Sequence, residues 1–243
     1  MAPLKLLFDQ CENDLHADFC RIEHGALGIS FADGSNQANV NGTVIFSGVA
    51  FDYTVTAARK PDAKSKIFCD ADLGKVRSAV TLSLGAAVAS GQHMPAIIQA
   101  LMMLGEKLGT ALGANWVYWT PASIATGFSY YSDTVEQYAN GAAFPALVTV
   151  NFDTAADEAV RTTGLYWLVG QELLFERSGM PLNEAMRYVV RIVHDLATNG
   201  AVNGKMEVPG MVDDERLILE PDVLSHLLSV RRAPVQNRVH SFG

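Results

Sequence analysis

His93 and Glu172 are the two side chains in this sequence best suited to acid or base work. His93 follows Gly91-Gln92 and opens a long apolar helical stretch that begins near Pro95. The positive end of a helix lowers the proton affinity of an imidazole, which suits it to act as a neutral base or electrophile near pH 7. Glu172 lies between Gly170-Gln171 and Leu173-Leu174, where partial burial would raise a carboxyl pKa. Together they define one functional expectation: a small-molecule enzyme with His93 and Glu172 as its acid/base pair. The plainer readings are a histidine that caps the helix or faces solvent, and a salt-bridged glutamate on an edge strand.

A second constellation is aromatic. Trp116, Tyr118 and Trp119 fall within four residues, and Tyr130 and Tyr131 follow. Such side chains carry contact energy at pockets and interfaces, and at strand spacing they also fill cores. Trp116, Tyr118 and Trp119 are therefore candidate binding residues. Arg187, Arg191 and His194 fall along one side of a later helix and read as a solvated face.

Established catalytic patterns are absent: no phosphate-binding Gly-Lys-Ser/Thr loop, dinucleotide fingerprint, Gly-x-Ser-x-Gly elbow or His-Glu-x-x-His helix occurs. The oxygen-rich stretch Asp33 to Asn41 lacks the closing bidentate glutamate of a calcium loop. Asp70-Ala71-Asp72 offers two carboxylates for magnesium, or a cap at a helix start. Cys11, Cys20 and Cys69 are odd in number and lack paired metal spacing, so no disulfide framework, metal or cofactor is expected.

Composition narrows the partners. The formal charge of −8 argues against nucleic acid, whose phosphates a protein must neutralise. It suits solubility or a basic protein partner. Apolar residues reach 49% and charged residues only 18%, enough for a large core at this length. The most apolar run, Ala79 to Leu112, is interrupted by polar residues such as Gln92, His93, Glu106 and Lys107, so no membrane span is expected. The apolar stretch near Leu4 is too short for a signal-peptide core, and a cytoplasmic location is expected.

Periodicity supplies the elements. Strands are expected at Leu4 to Phe8, Ala26 to Phe31, Thr43 to Phe46 and Val49 to Val55, the last two forming a hairpin about Ser47-Gly48. The polar stretch Lys60 to Lys66 marks a candidate internal boundary near 60–70. A strand from Val76 leads into a helix from Pro95 to Leu112, stopped by Gly113, and Trp116 to Trp119 returns as a strand parallel to the first. Gly105, Gly109 and Gly113 form a stripe on which a neighbouring backbone or subunit could approach closely. Further expectations are a helix at Asp133 to Tyr138, strands at Ala146 to Phe152, Thr163 to Val169 and Leu173 to Arg177, and a second long helix from Pro181 through Leu196.

This order predicts an α+β fold: a ferredoxin-like split β-α-β sheet covered on one face by two long helices, with extra N-terminal strands. Residues 1–230 form a single domain in this reading, and residues 231–243, with Arg231, Arg232 and Arg238 and no acid, a mobile basic tail.

The strand-helix-strand from Val80 to Trp119, the segment Thr163-Gly164-Leu165 with Gly170 and Glu172, and the helix from Pro181 to Gly200 resemble the bacterial domain-of-unknown-function family 4261. The likeness covers roughly residues 40–210 and includes Gln92-His93 at the helix start. It departs at Asn203-Gly204-Lys205, where a more acidic turn is expected. The resemblance implies a bacterial cytosolic protein and supplies no catalytic residue. The leading expectation is thus a non-enzymatic interaction module, contacting a protein partner or forming a homo-oligomer, with immunity-type masking of a basic toxin or nuclease as one form of it.

Overall fold

Alternation along the first strand, β1 (Leu4–Phe8), turns Leu4, Leu6 and Phe8 to one side and Lys5 and Leu7 to the other. The computed structural model describes residues 2–23, 25–32, 40–69, 73–154 and 158–233, and it places this strand inside an eight-stranded sheet. The elements that follow are α1 (Glu12–Cys20), β2 (Ile29–Phe31), β3 (Asn41–Phe46), β4 (Val49–Ala57), β5 (Ser65–Ile67), β6 (Ser78–Leu84), α2 (Pro95–Leu112), β7 (Trp116–Trp119), β8 (Ile124–Gly127) and α3 (Phe128–Ala139). The remainder comprises α4 (Ala146–Thr149), β9 (Asn151–Thr154), β10 (Ala159–Thr163), α5 (Leu165–Val169), β11 (Glu172–Glu176), α6 (Leu182–Asn199), β12 (Met206–Pro209), β13 (Arg216–Asp222) and β14 (Leu227–Arg232).

The class is mixed α+β, with two sheets. The first runs β2-β3-β4-β6-β1-β7-β8-β5, antiparallel except for the parallel β5–β8 pair. Because β1 is antiparallel to both β6 and β7, those two strands, joined by α2, are parallel with β1 between them. The second runs β12-β13-β14-β11-β10-β9, with only β11–β14 parallel. The expectation of one sheet under both long helices is corrected: α2 packs on β1, β4 and β6, whereas α6 packs on β10 and β11. The strands after α6 pair with β11 and build their own sheet. One buried apolar cluster nevertheless spans residues of both sheets. A smaller cluster under the opposite face of the first sheet holds Leu7, Leu73, Val76, Ala79, Trp116 and Ala125. The polar stretch read as a candidate boundary leads directly into β5, an edge of the first sheet.

Local chemistry explains where the elements fall. Ser47 and Gly48 have φ of +50° and +76°, the two positive values that a tight hairpin turn needs. Helix α2 begins at Pro95 and ends at Gly113, whose left-handed φ is +69°. The expected strand at Ala26 to Phe31 shortens to β2, because Leu27 and Gly28 turn the chain with positive φ. Thr163 to Val169 is mostly the short helix α5, bracketed by Gly164 and Gly170 in left-handed conformations that a strand cannot carry. The first half of the expected strand at Ala146 to Phe152 is likewise one helical turn, α4, with the Thr149 hydroxyl donating to the Pro145 carbonyl at 2.9 Å.

The mobile-tail expectation is corrected at its start. Arg231 and Arg232 belong to β14, and Arg232 Nη2 reaches Glu184 of α6 at 2.7 Å. Its Nε lies 2.8 Å from Glu215, an ion pair without hydrogen-bond alignment. The Tyr188 hydroxyl donates to the same Glu215 carboxylate. Burial opposes ionisation of Glu215, but that hydroxyl, the Met211 amide and Arg232 together hold its carboxyl below the usual range. Residues 234–243 lie outside the described residues, as do Asp33 to Asn39 and Asp70 to Asp72 of the proposed cation-binding stretches.

Two glycines of the stripe, Gly105 and Gly109, pack within the chain, whereas Gly113 meets nothing within 4 Å. A β-carbon at Gly105 would overlap Leu4 of β1 and come within 3.0 Å of the Tyr131 hydroxyl, and one at Gly109 would overlap the Phe128 ring of α3. Gly109→Val should therefore lower unfolding stability in urea by about 3 kcal/mol through overpacking. Gly204→Ala, which meets nothing within 4 Å, should leave it unchanged; equal effects at the two positions would remove the packing role assigned to Gly109.

Candidate functional site

The turn formed by α5 gathers the two residues expected to act as an acid/base pair. Glu172 is half-buried at the start of β11, and its carboxylate accepts hydrogen bonds from the Thr162 hydroxyl (2.7 Å) and the amides of Gly164 (2.8 Å) and Tyr166 (3.1 Å). It caps a five-residue helix whose flanking glycines leave those amides without backbone partners. His93 is exposed immediately before the α2 cap. Its ring sits edge-on to Tyr166 at 6.5 Å, and its Nε2 is 3.3 Å from the side-chain nitrogen of Gln92. Both residues thus border α5 and share Tyr166, Glu172 through its amide and His93 through its ring, and no hydrogen bond joins them among the described residues. Tyr166 also meets His226 edge-on at 5.2 Å, beside exposed Val223 and Leu224.

The aromatic strand divides as its alternation requires. Val117 and Trp119 enter the main core, where the Trp119 ring meets Trp167 at 5.2 Å in a perpendicular arrangement. Trp116 and Tyr118 face the smaller cluster, and the Tyr118 hydroxyl donates to the Asp62 carbonyl at 3.3 Å. Of the three candidate binding residues, Trp116 lines a cavity.

That cavity, of about 430 Å³, is lined by Phe68, Asn115, Trp116, Gly127, Phe128, Ser129, Tyr130 and Asp133. Trp116 is its buried floor. Asn115 ties that floor to the end of β1 and to the start of α3, because its side-chain carbonyl accepts the Asp9 amide at 3.0 Å and its backbone carbonyl accepts the Phe128 amide at 3.0 Å. Phe68 is the unusual member: it is 68% exposed, follows β5 with a φ of +47°, and its ring contacts Tyr130 with centroids 4.4 Å apart. Gly127 makes this possible, since a β-carbon there would overlap the Phe68 carbonyl. A second cavity of about 380 Å³, lined by Asp133, Glu136, Gln137, Asn140 and Ala142, shares Asp133 with the first. Asp133 and Glu136 lie three residues apart on α3, hence on one face, and both are exposed. Neither takes part in an ion pair among the described residues. The result is a groove with an aromatic end and an acidic end, and no lysine or arginine in its lining.

Sequence reasoning picked out Trp116 and Tyr130 here but missed Phe68, Phe128, Asp133 and Glu136. Asp133 opened an expected helix and carried no other signal. Phe68 follows a three-residue strand whose pairing with β8 is invisible to local periodicity. Among the described residues no group of three or more His, Cys, Asp or Glu is placed to hold a metal ion, and no helix is long and apolar enough to cross a membrane.

No family model, curated protein or solved structure matches the chain.

The hydrogen bonds give Glu172 a structural load that His93 lacks. Glu172→Gln should cost about 2 kcal/mol in urea unfolding, because a charged acceptor of three donors becomes a neutral amide. His93→Ala should stay within about 0.5 kcal/mol of the parent. Comparable losses for both would point to a coupled pair instead.

Proposed function

We propose that this protein is an interaction module that docks a basic protein partner in the groove beside α3. The observation that carries the reading is the exposed Phe68 ring, tilted against Tyr130 at the mouth of a cavity that opens toward two carboxylates without ion-pair partners among the described residues. Large exposed aromatics are characteristic anchors of interfaces, where a fully desolvated ring contributes most of the contact energy. Carboxylates around such an anchor select the partner's charge and speed its encounter. A formal charge of −8 over the whole chain acts in the same direction at longer range. Masking of a basic toxin or nuclease surface is the form of this activity that the charge favours most, and membership of family 4261 and a ferredoxin-like split β-α-β arrangement belong to the same proposal.

The test is fluorescence anisotropy with a labelled ten-residue peptide of mixed lysine and arginine. The parent protein should bind it, with affinity falling as salt rises. Asp133→Asn combined with Glu136→Gln should weaken binding at least tenfold, while Asp213→Asn with Asp214→Asn, an identical charge change in the β12–β13 connection, should leave it nearly unchanged. Equal losses in both double variants would reduce the interaction to diffuse net charge and overturn the groove assignment.

A further inference from the structure

The shape of the aromatic end identifies the kind of cation it takes. Resting on the docking role proposed above, we infer that the groove selects arginine: one guanidinium of the partner lies flat on the outer face of Phe68 and pairs with Asp133.

Three features lead there. First, the Phe68 and Tyr130 rings are in contact, with centroids 4.4 Å apart and planes inclined by 39°. No gap remains between them for a rounded cation such as a quaternary ammonium, which binds best when several ring faces surround it. What is offered is a single open ring face, and a planar delocalised cation covers such a face better than a compact ammonium does. Second, Asp133 lines the same cavity and the neighbouring one. A carboxylate beside a stacked guanidinium accepts two parallel N–H donors, a geometry that lysine cannot supply. Third, Glu136 lies one helical turn along α3 in the second cavity, so a second positive residue on the partner has its own carboxylate. The backbone around Phe68 keeps the shelf in place. The β5–β8 pairing fixes Ile67 opposite Thr126, and the close approach of the Phe68 carbonyl to Gly127 leaves the ring directed outward over Tyr130.

Two labelled peptides of equal length and charge, one with arginine and one with lysine at every basic position, separate this inference from the docking role on which it rests. The parent protein should bind the arginine peptide at least tenfold more tightly. Phe68→Ala and Phe68→Leu should both erase that preference, because leucine keeps apolar bulk but has no ring face, while residual binding of both peptides persists through the carboxylates. Because Phe68 is largely exposed, neither variant removes core packing, and unchanged urea unfolding verifies this. Equal affinity of the parent for the two peptides, or a preference that survives in either variant, overturns the arginine assignment and leaves the docking role standing. If neither peptide binds the parent, both fail.

Discussion

Leu4 leaves no space above it for a side chain from α2. Gly105 meets this demand, and the same helix face brings Gly109 against Phe128, so one stripe of missing side chains sets where α2 rests on both β1 and α3. The strand underneath pairs with β6 on one side and β7 on the other, and the two are linked through α2 itself. Helix position, strand order and the start of α3 are therefore one constraint. The groove inherits it: Phe128 is both the residue against Gly109 and a wall of the aromatic cavity, and Asn115 fastens the cavity floor to the end of β1.

The acidic residues divide into two populations. Glu172 is consumed in capping α5, and Glu184 and Glu215 hold Arg232 so that β14 is joined to α6. Tyr188 completes that junction; burial first, and then its bond to Glu215, raise the pKa of its hydroxyl and keep it protonated. These charges are matched within the fold, where an unmatched one would be costly. Asp133 and Glu136 take part in no ion pair among the described residues. They are exposed, near Phe68, the most exposed aromatic side chain among the described residues. A different exposed patch, formed by Tyr166, Val223, Leu224 and His226, has the Asp222 carboxylate beside it, but that group is held within its own turn by the Leu224 amide and the Ser225 hydroxyl.

Much of this was legible in the sequence because strong local patterns set it. The bounds of α2 follow from Pro95 and Gly113, the β3–β4 hairpin from Ser47-Gly48, and the two faces of β7 from simple alternation. What escaped depended on distant partners. An apolar run such as Leu165 to Val169 fits strand or helix equally well, and only the glycines on either side and the carboxylate of Glu172 decide for helix. The second sheet escaped because β10 and β12 are short and because its two antiparallel groups are joined by the parallel β11–β14 pair, which sets Glu172 opposite Leu227 across the whole length of α6. The groove escaped for the same reason: Phe68 and Tyr130 are sixty-two residues apart and meet only because β5 joins the edge of the sheet beside β8.

The central claim is that the acid-flanked aromatic groove, and no other surface, receives a basic partner. Amide chemical-shift mapping on the full chain, titrated with an arginine-rich peptide, tests it most directly. Perturbations should concentrate at Lys66 to Cys69, Asn115 to Trp116 and Gly127 to Ala142. Perturbations centred on Tyr166 and Val223 to His226, or spread evenly over the acidic surface, would contradict it.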